Sequence, residues 1–440
     1  MPVICLIPRL KIWRYEARCT VPLRDWSAFK RNVLLAWSIP RIPSRQTGQQ
    51  SWFPCLVFSQ DTDSMRIMLK RYLSTWCAVI VITASIAVEE RGLPEPLRGQ
   101  IVVDPHHPEW LRRHEGPPVF ICGPGDPEGF LYRGTRLQDG TRKGDQLQII
   151  RKMIQHGGNC LYMQIIRSHG GDGSPDHNPF VDSNPSQGLD EELLNQWEQW
   201  FNLMDQHGIL IYLFFYDDSA RIWNTGDNVG PDEKRFLQTI VQRFHHYKNL
   251  VWIVAEESEE AYSTERVQNI ARTIREADPH DHIVGNHHHS GTTFKSWKQG
   301  GYLNHFAMQL EAEVKNVHSK AVEAFGSSKG RYQTIYSENT KGEPTALYAW
   351  RCAMGGLMPM LLEMDVANTP VEELKRCRIL QHFFERTNFN TLIPHDELAL
   401  GETKWLLANP GESYIAYSEN LSQIMDIANI PPGTAFCFKG

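Results

Sequence analysis

Two adjacent glutamates follow directly on an apolar segment that is typical of a buried strand. Residues 249–260 read NLVWIVAEESEE, so Glu256 and Glu257 end a run that is apolar from Leu250 to Ala255. A third acid, Glu338, ends another strand-like segment, YQTIYSE. Paired carboxylates can donate a proton and attack or activate water, and cleavage of a glycosidic bond requires both roles. Acids at a solvated strand end are also common, so their role depends on the elements that hold them.

Eight apolar segments alternate with helical patterns and predict those elements. Most of the segments are continuously apolar, which is typical of parallel strands that are buried on both faces. Eight strands alternating with helices over about 280 residues is the count of a (β/α)8 barrel. The predicted strands are 118–123, 159–166, 208–216, 249–255, 282–286, 303–310, 332–337 and 356–364.

The helical patterns between the strands have recognisable ends. The first stops at Gly157, the third opens with Pro231, and Thr264 is predicted to cap the helix that follows the fourth strand. The fifth helix, near TTFKSWKQGG, is predicted to be short. The structural alternative is a doubly wound open sheet with GPGDPEG (123–129) as a dinucleotide loop. Its third glycine lies one place late and two prolines intrude, which disfavours it.

In a (β/α)8 barrel, the active site lies at the carboxyl ends of the strands. Glu256 and Glu257 are therefore expected at the end of strand four, and Glu338 at a similar height on strand seven. Two carboxylates on opposite sides of one cleft could then act on the same glycosidic bond.

Other strand ends add polar groups to the same predicted rim, and we expect about half of them to contact a substrate. The residues predicted to bind substrate are Glu256, Arg167, Asp217, Asp218, His287, His289, Gln309 and Glu363. Further polar residues at these strand ends are Gln164, His169 and Glu311.

Three consecutive histidines, His287–His289, end the predicted fifth strand and raise the question of a metal site. Adjacent residues on a strand point to opposite faces, so at most two of them could converge, and no HxH or HExxH motif completes a site. We therefore predict substrate hydrogen bonding by His287 or His289, and neither a metal nor an organic cofactor. A metal-dependent hydrolase that uses these histidines is the alternative. Ser/His/Asp catalysis lacks its GxSxG nucleophile motif.

The layout of these strands resembles the retaining glycoside hydrolases of the large (β/α)8 clan that includes cellulases and mannanases. Within that clan the chain is most similar to the apiosidase-like group, in which a collagen-binding-type β-sandwich follows the barrel. The resemblance covers about residues 100–435. VWIVAEE matches the acid/base strand, which implies Glu257 as acid/base, and IYSEN matches the nucleophile strand, which implies Glu338.

Two positions depart from the clan's pattern. The clan usually has Asn before the acid/base, where this chain has Glu256, and it often has Trp on strand eight, where MLLEMD offers Glu363 and Asp365. If the match of VWIVAEE to the acid/base strand is shifted by one residue, Glu256 becomes the acid and Glu257 a surface group. The prediction is a retaining glycoside hydrolase acting on a polysaccharide or its side chains. The alternative is a non-catalytic barrel that binds carbohydrate or matrix.

A net charge of −6 gives no indication of nucleic acid as a partner.

The N-terminal region predicts export. Lys70 and Arg71 precede an apolar run that ends in small residues, which is typical of a secretory signal peptide over 68–87 and of a secreted or periplasmic protein without integral membrane association after cleavage. Residues 1–67 are then a start-site artefact or a disordered extension, and the alternative is a genuine N-terminal anchor or extension.

The other end of the chain predicts a second, smaller unit. The barrel is expected over 100–395, and the turn at Asn409–Gly411 between two short strand patterns predicts a partial β-sandwich over 396–440. Five of the nine cysteines follow Ala87, and none of the five forms a CxxC pair. This odd, widely spaced set predicts buried thiols rather than disulfides or a zinc site.

Overall fold

The structure is a computed structural model of the 440-residue chain. For Val3–Leu6, Val314, Glu338, Thr345 and Ala346 the description covers the backbone alone. The described residues are 3–6, 94–123, 129–289, 291–309, 314–338, 345–360, 365–419 and 425–430. The predicted signal peptide over 68–87 lies outside them.

Short antiparallel strands precede the barrel. The first described strand, β1 (Val3–Leu6), pairs instead with a strand near the C-terminus, Ser413–Tyr417. Three strands form a small sheet in the order β2, β3, β4, and two more form a hairpin. These strands are β2 (Ile101–Val103), β3 (Leu111–Arg113), β4 (Pro118–Val119), β5 (Thr135–Arg136) and β6 (Arg142–Lys143).

Seven parallel strands then form one sheet in strict chain order. Every neighbouring pair in it is parallel, and β7, β8 and β9 are buried along their whole length. The strands are β7 (Cys160–Ile166), β8 (Leu210–Tyr216), β9 (Leu250–Ala255), β10 (Val284–His288), β11 (His305–Gln309), β12 (Gln333–Glu338) and β13 (Met358–Pro359).

The segment after β4 lies between the two edges of this sheet and closes it. The Gly123 N–H donates to the Pro359 carbonyl at 2.7 Å, and the Asn159 N–H donates to the Cys122 carbonyl at 3.2 Å. Residues 120–123 thus take the place of the first barrel strand between β13 and β7. The predicted (β/α)8 barrel is confirmed.

Within the described residues, seven helices connect the strands. The described residues between β10 and β11 form turns, so the short fifth helix that the sequence predicts is absent there. The fourth helix is capped by Ser263, whose hydroxyl accepts the Arg266 N–H at 3.0 Å, so the predicted cap at Thr264 is wrong by one residue. The helices are α1 (Gln146–His156), α2 (Glu191–Gln206), α3 (Pro231–Phe244), α4 (Thr264–Ala277), α5 (Val317–Ser328), α6 (Thr345–Met354) and α7 (Val371–Glu385).

The inside of the barrel is aromatic and polar. The Tyr212 hydroxyl on β8 lies 2.7 Å from His305 Nε2 on β11, and the Tyr162 ring on β7 lies 6.1 Å from the His287 ring on β10. These strands are three apart in the sheet, so the pairs can only meet across the interior. Trp252 on β9 instead faces the helices, where its Nε1–H donates to Asp278 at 3.1 Å.

The C-terminal strands form antiparallel sheets against the barrel. One sheet has the order β1, β17, β16, β14, and a second pairs β15 with β18. Trp405, Leu407 and Ile415 face the main core, whereas Leu406 and Ala408 belong to a second apolar cluster. The new strands are β14 (Ile393–Pro394), β15 (Ala399–Gly401), β16 (Trp405–Asn409), β17 (Ser413–Tyr417) and β18 (Met425–Ile427).

Cys122, Cys160, Cys352 and Cys377 are buried thiols outside any disulfide, as predicted, and Cys437 lies outside the described residues. In the part of the chain that the structure describes, no helix combines the length and apolar character needed to cross a bilayer.

A buried ion pair supports the end of β8 from the helix side. Arg266 on α4 donates to Glu233 on α3 at 2.5 Å, and the Tyr216 hydroxyl donates to the same oxygen at 2.6 Å. Burial raises the pKa of Glu233, while Arg266 and the Tyr216 hydrogen bond act in the opposite direction. Tyr216 is the last residue of β8, so this pair anchors the strand that carries Asp217.

Removing Arg266 should therefore destabilise the protein. We expect Arg266→Leu to lower the free energy of unfolding by about 3 kcal/mol near neutral pH, because it leaves a buried carboxylate without its partner. The loss should shrink as pH falls, because Glu233 then takes up a proton and no charge remains unpaired. Arg235→Leu, which breaks an exposed pair with Asp232, is the matched control and should cost less than about 1 kcal/mol. Urea unfolding measures both, and equal losses would contradict the role of the buried pair.

Candidate active site

The carboxyl ends of the parallel strands meet at one face of the barrel, and most of the predicted site residues lie there. Because all seven strands run in the same direction, the residues that follow them share one rim. Arg167 follows β7, Asp217 and Asp218 follow β8, Glu256 and Glu257 follow β9, His287 and His289 lie at the end of β10, Gln309 ends β11, and Glu338 ends β12.

Glu256 is turned into the barrel. Its side chain is 4% exposed, and its two carboxylate oxygens accept hydrogen bonds from the Tyr162 hydroxyl and the Gln164 amide, both on β7. Its backbone N–H continues the ladder with β8 by donating to the Tyr216 carbonyl at 3.0 Å. The carboxylate is therefore held by side-chain donors on both oxygens.

Glu257 has a left-handed backbone and a half-buried side chain. Its φ is 34° and its ψ 46°, and it is the N-cap residue of a short 3-10 helix, Ser258–Glu260. This conformation costs an L-residue with a side chain roughly 1–3 kcal/mol and is concentrated at functional sites.

His287 connects the end of β9 with β12. Its Nδ1 accepts the Glu257 N–H at 3.1 Å, and its Nε2 lies 2.8 Å from Ser337 Oγ. Burial, followed by the neighbouring His288 and His289, lowers the pKa of His287 to about 3. The side chain is completely buried, so the structure places this predicted substrate-binding residue below the rim.

Glu338 is the last residue of β12. It is paired with Gln309 of β11 after a shift in register that follows Met308. Two strands, β10 and β11, separate β12 from β9 in the sheet. The backbone therefore places Glu338 at the same rim as Glu256 and Glu257 and three strands further round.

Arg167 and Asp217 form a buried ion pair. Arg167 Nε donates to Asp217 Oδ2 at 3.0 Å, and the backbone N–H of Asp172 donates to the same oxygen at 2.9 Å. The other oxygen, Asp217 Oδ1, has no hydrogen-bond partner among the described residues. The pair thus orders the loop after β7 and leaves one acceptor for a further donor.

The remaining predicted residues divide between the rim and other places. Asp218 and Gln309 are half-buried at the rim, and Gln309 Oε1 has no hydrogen-bond partner in the described part of the chain. Asp365 instead accepts the Ala367 N–H at 3.0 Å and pairs with Arg133 at 3.3 Å, in the loop before α7. Glu363 and Glu311 lie outside the described residues, so their predicted roles stay predictions.

Glu257, Glu260 and His289 bring potential ligand atoms within 4.8 Å of one another at the rim. Two carboxylates and an imidazole can coordinate a divalent transition metal. The grouping uses one histidine of the three, within the limit set by strand alternation, and the other two point elsewhere: His287 toward Ser337 and His288 toward Glu259. The prediction of no metal stays a prediction.

Tyr162 and Ser337 contact the candidate machinery and were missed from the sequence. Tyr162 precedes Gln164 by two residues on β7, so the two side chains share the interior face, and two polar groups there in an otherwise apolar strand are a readable signal. Ser337 had no signal of this kind, because its partner His287 is 50 residues away in the sequence.

Comparison with known proteins bears on this barrel directly. Residues 128–341 match the family model described as "Apiosidase-like, catalytic domain". That span contains β7 to β12, and so includes both strands that carry the candidate glutamates. None of the curated proteins compared matches the chain.

Solved structures of glycoside hydrolases share the fold. A Bacteroides vulgatus ATCC 8482 protein provisionally described as a glycoside hydrolase has a TM-score of 0.55 and 16% identity, over 71% of this chain and 67% of that one. A glycoside hydrolase family 5 protein from the same organism has a TM-score of 0.52 and 12% identity, over 70% and 77%.

At these identities the solved structures establish the barrel, and the family model adds its catalytic character. Together they indicate that this chain is a glycoside hydrolase with an apiosidase-like region, and the resemblance predicted from the sequence is confirmed. The collagen-binding nature of the C-terminal unit stays a prediction.

The different surroundings of the two adjacent acids predict different effects of substitution. Glu256→Gln should lower the free energy of unfolding by about 1–3 kcal/mol, because one of the two donors from Tyr162 and Gln164 would then face an amide N–H₂. Glu257→Gln, at a half-buried position, should change it by less than about 0.5 kcal/mol. Urea unfolding of both variants is the measurement. The reverse order of effects would mean that the two carboxylates exchange places.

Proposed function

We propose that the chain is a secreted retaining glycoside hydrolase that cleaves O-glycosidic bonds in a polysaccharide or its side chains. The observation that carries this proposal is the position of the acids: Glu257 and Glu338 follow or end β9 and β12, at one rim of a barrel whose centre matches an apiosidase-like catalytic domain. Secretion is supported by the residue pattern of 68–87 alone, and a mature N-terminus near Val88 would establish it.

In the proposed mechanism Glu257 is the general acid/base. A general acid must carry a proton and present it to the departing glycosidic oxygen. Glu256 is poorly suited to this, because both of its carboxylate oxygens already accept hydrogen bonds inside the barrel. Glu257 lies half-buried at the rim, beyond that network, and its strained backbone is consistent with a functional position.

Glu338 is the proposed nucleophile. It would attack the anomeric carbon while Glu257 protonates the leaving oxygen, and water activated by Glu257 would then hydrolyse the glycosyl-enzyme. Retention requires the two carboxyl groups about 5–5.5 Å apart, a spacing that the ends of barrel strands four and seven can provide. In this proposal the rim residues that hold sugar hydroxyls are Arg167, Asp217, Asp218, His289 and Gln309, and their positions at the ends of β7, β8, β10 and β11 support that role.

The acid/base role predicts a pattern across leaving groups. Glu257→Gln should slow hydrolysis of substrates with poor leaving groups by about 100-fold or more, and that of activated aryl glycosides far less, since these need no protonation. The basic limb of a bell-shaped pH profile should disappear in the variant, because it reports loss of the Glu257 proton. Steady-state kinetics on an aryl glycoside series, apiosides included, measures both effects. An equal loss on good and poor leaving groups would move the role to Glu256.

The nucleophile role predicts a covalent intermediate. An activated 2-fluoro glycoside should be trapped on the enzyme, because the fluorine slows hydrolysis of the glycosyl-enzyme, and peptide mapping should find the sugar's mass on the fragment containing YSENTK. Glu338→Ala should take up no label.

Label on Glu343, Glu363 or Asp365 would move the nucleophile, and a product of inverted configuration would exclude retention. Activity lost to a chelator, together with no label, would favour metal-dependent hydrolysis through Glu257, Glu260 and His289. Glycan binding without turnover of any substrate in the aryl glycoside series would indicate a non-catalytic barrel.

A further inference from the structure

One buried imidazole links the backbone of Glu257 to the strand that carries Glu338. His287 lies on β10, which pairs with β9 and β11 and not with β12. Its ring nonetheless reaches Ser337 of β12 at 2.8 Å, while its other nitrogen accepts the Glu257 N–H at 3.1 Å. The side chain therefore spans the upper barrel as a chord between two strands that share no backbone hydrogen bond.

The donors in this chain of contacts define which ring nitrogen carries the proton. A backbone N–H can only donate, so Nδ1 must be an unprotonated acceptor toward Glu257. The Ser337 hydroxyl uses its single hydrogen on the Met308 carbonyl at 2.9 Å, so it can only accept from His287. Nε2 must then carry the hydrogen. Glu257, His287, Ser337 and Met308 form one directed series of hydrogen bonds that is complete only for the neutral Nε2–H form.

A second proton on the ring would break this series. It would place an Nδ1–H opposite the Glu257 N–H, and the turn at Glu257 would lose its acceptor. The rings packed against the imidazole are those of Tyr162 and Phe214, whose centroids each lie 6.1 Å away. His288 and His289 follow it in the sequence, and Glu256 and Glu257 follow the adjacent strand β9.

We infer that His287 is a positioning residue, which as a neutral Nε2–H imidazole holds the left-handed backbone of Glu257 at a set distance from Ser337 and so from the adjacent Glu338. The inference rests on the proposed function of the two glutamates. It assigns His287 a role that involves no substrate contact: the imidazole replaces the missing backbone link between barrel strands four and seven. Without it, the Glu257 N–H loses this acceptor, and the turn can relax out of the left-handed conformation.

The protonation state can be tested on the wild-type protein without any substrate. Histidine-selective ¹⁵N labelling with NMR detection near pH 7 should show one histidine in the Nε2–H tautomer with a hydrogen bond accepted at Nδ1. The spectrum of His287→Asn, which lacks that signal, assigns it. A His287 that carries its hydrogen on Nδ1 would overturn the inference.

Two substitutions separate the two contacts. In His287→Asn, the amide oxygen can still accept the Glu257 N–H, whereas in His287→Gln the amide reaches toward Ser337 and that acceptor is lost. We expect His287→Gln to lower kcat on an accepted aryl glycoside by about 100-fold with KM changed less than about 3-fold, as for a misplaced catalytic group. His287→Asn should lose less than about 10-fold, a rescue that a purely structural role would not produce.

His305 provides the matched control. It is also a fully buried barrel histidine whose pKa is lowered to about 3 by burial, and it contacts Tyr212 rather than the candidate acids. His305→Gln should lower the melting temperature yet keep kcat within about 3-fold.

Equal losses of kcat in His287→Gln and His287→Asn, or in His287→Gln and His305→Gln, would contradict the positioning role. A normal His287 spectrum in a protein that never forms the covalent adduct at Glu338 would locate the failure in the proposed function instead.

Discussion

The candidate site depends on barrel closure, and closure depends on a few hydrogen bonds made by residues 120–123. Gly123 joins this segment to β13 and Cys122 joins it to β7 through backbone contacts. The Asn159 side chain strengthens the second junction, since its oxygen accepts the Cys122 N–H at 2.8 Å and its amide donates to the Phe120 carbonyl at 2.9 Å. In an open sheet, β9 and β12 would stay separated by the full width of β10 and β11 on a gently twisted surface. Closed into a barrel, the same strands direct their carboxyl ends into one mouth.

The sequence predicted this frame because the physical signal for it is local. A strand buried on both faces must be apolar along its whole length, and β7, β8 and β9 were readable for that reason. The fifth helix was the weakest of the helical patterns, and the described residues at that place form turns. Local signals also have a limited precision, as the cap at Ser263 rather than Thr264 shows.

The direction of individual side chains at the mouth could not be predicted in the same way. Strand alternation from Trp252, which faces the helices, would send Glu256 outward, whereas the structure turns its carboxylate toward Tyr162 and Gln164. The next residue, Glu257, adopts a left-handed backbone, and its N–H donates to His287, which lies 30 residues further along the chain. His287 itself was predicted to bind substrate, because the sequence indicates that it lies at the end of a strand. The sequence does not indicate that Ser337 lies opposite and occupies its ring nitrogen. Contacts of this kind are properties of the closed barrel rather than of any segment.

The backbone at Glu257 sets a limit on how far this enzyme could be stabilised by engineering. Glycine adopts a φ of 34° without steric cost, and asparagine tolerates it better than glutamate does. A selection for thermal resistance alone would therefore favour replacing Glu257, and its winners would retain the barrel while losing the proposed acid/base. Stability and turnover compete at this one residue, so a library designed for robustness should keep Glu257 unchanged and seek its gains elsewhere in the barrel.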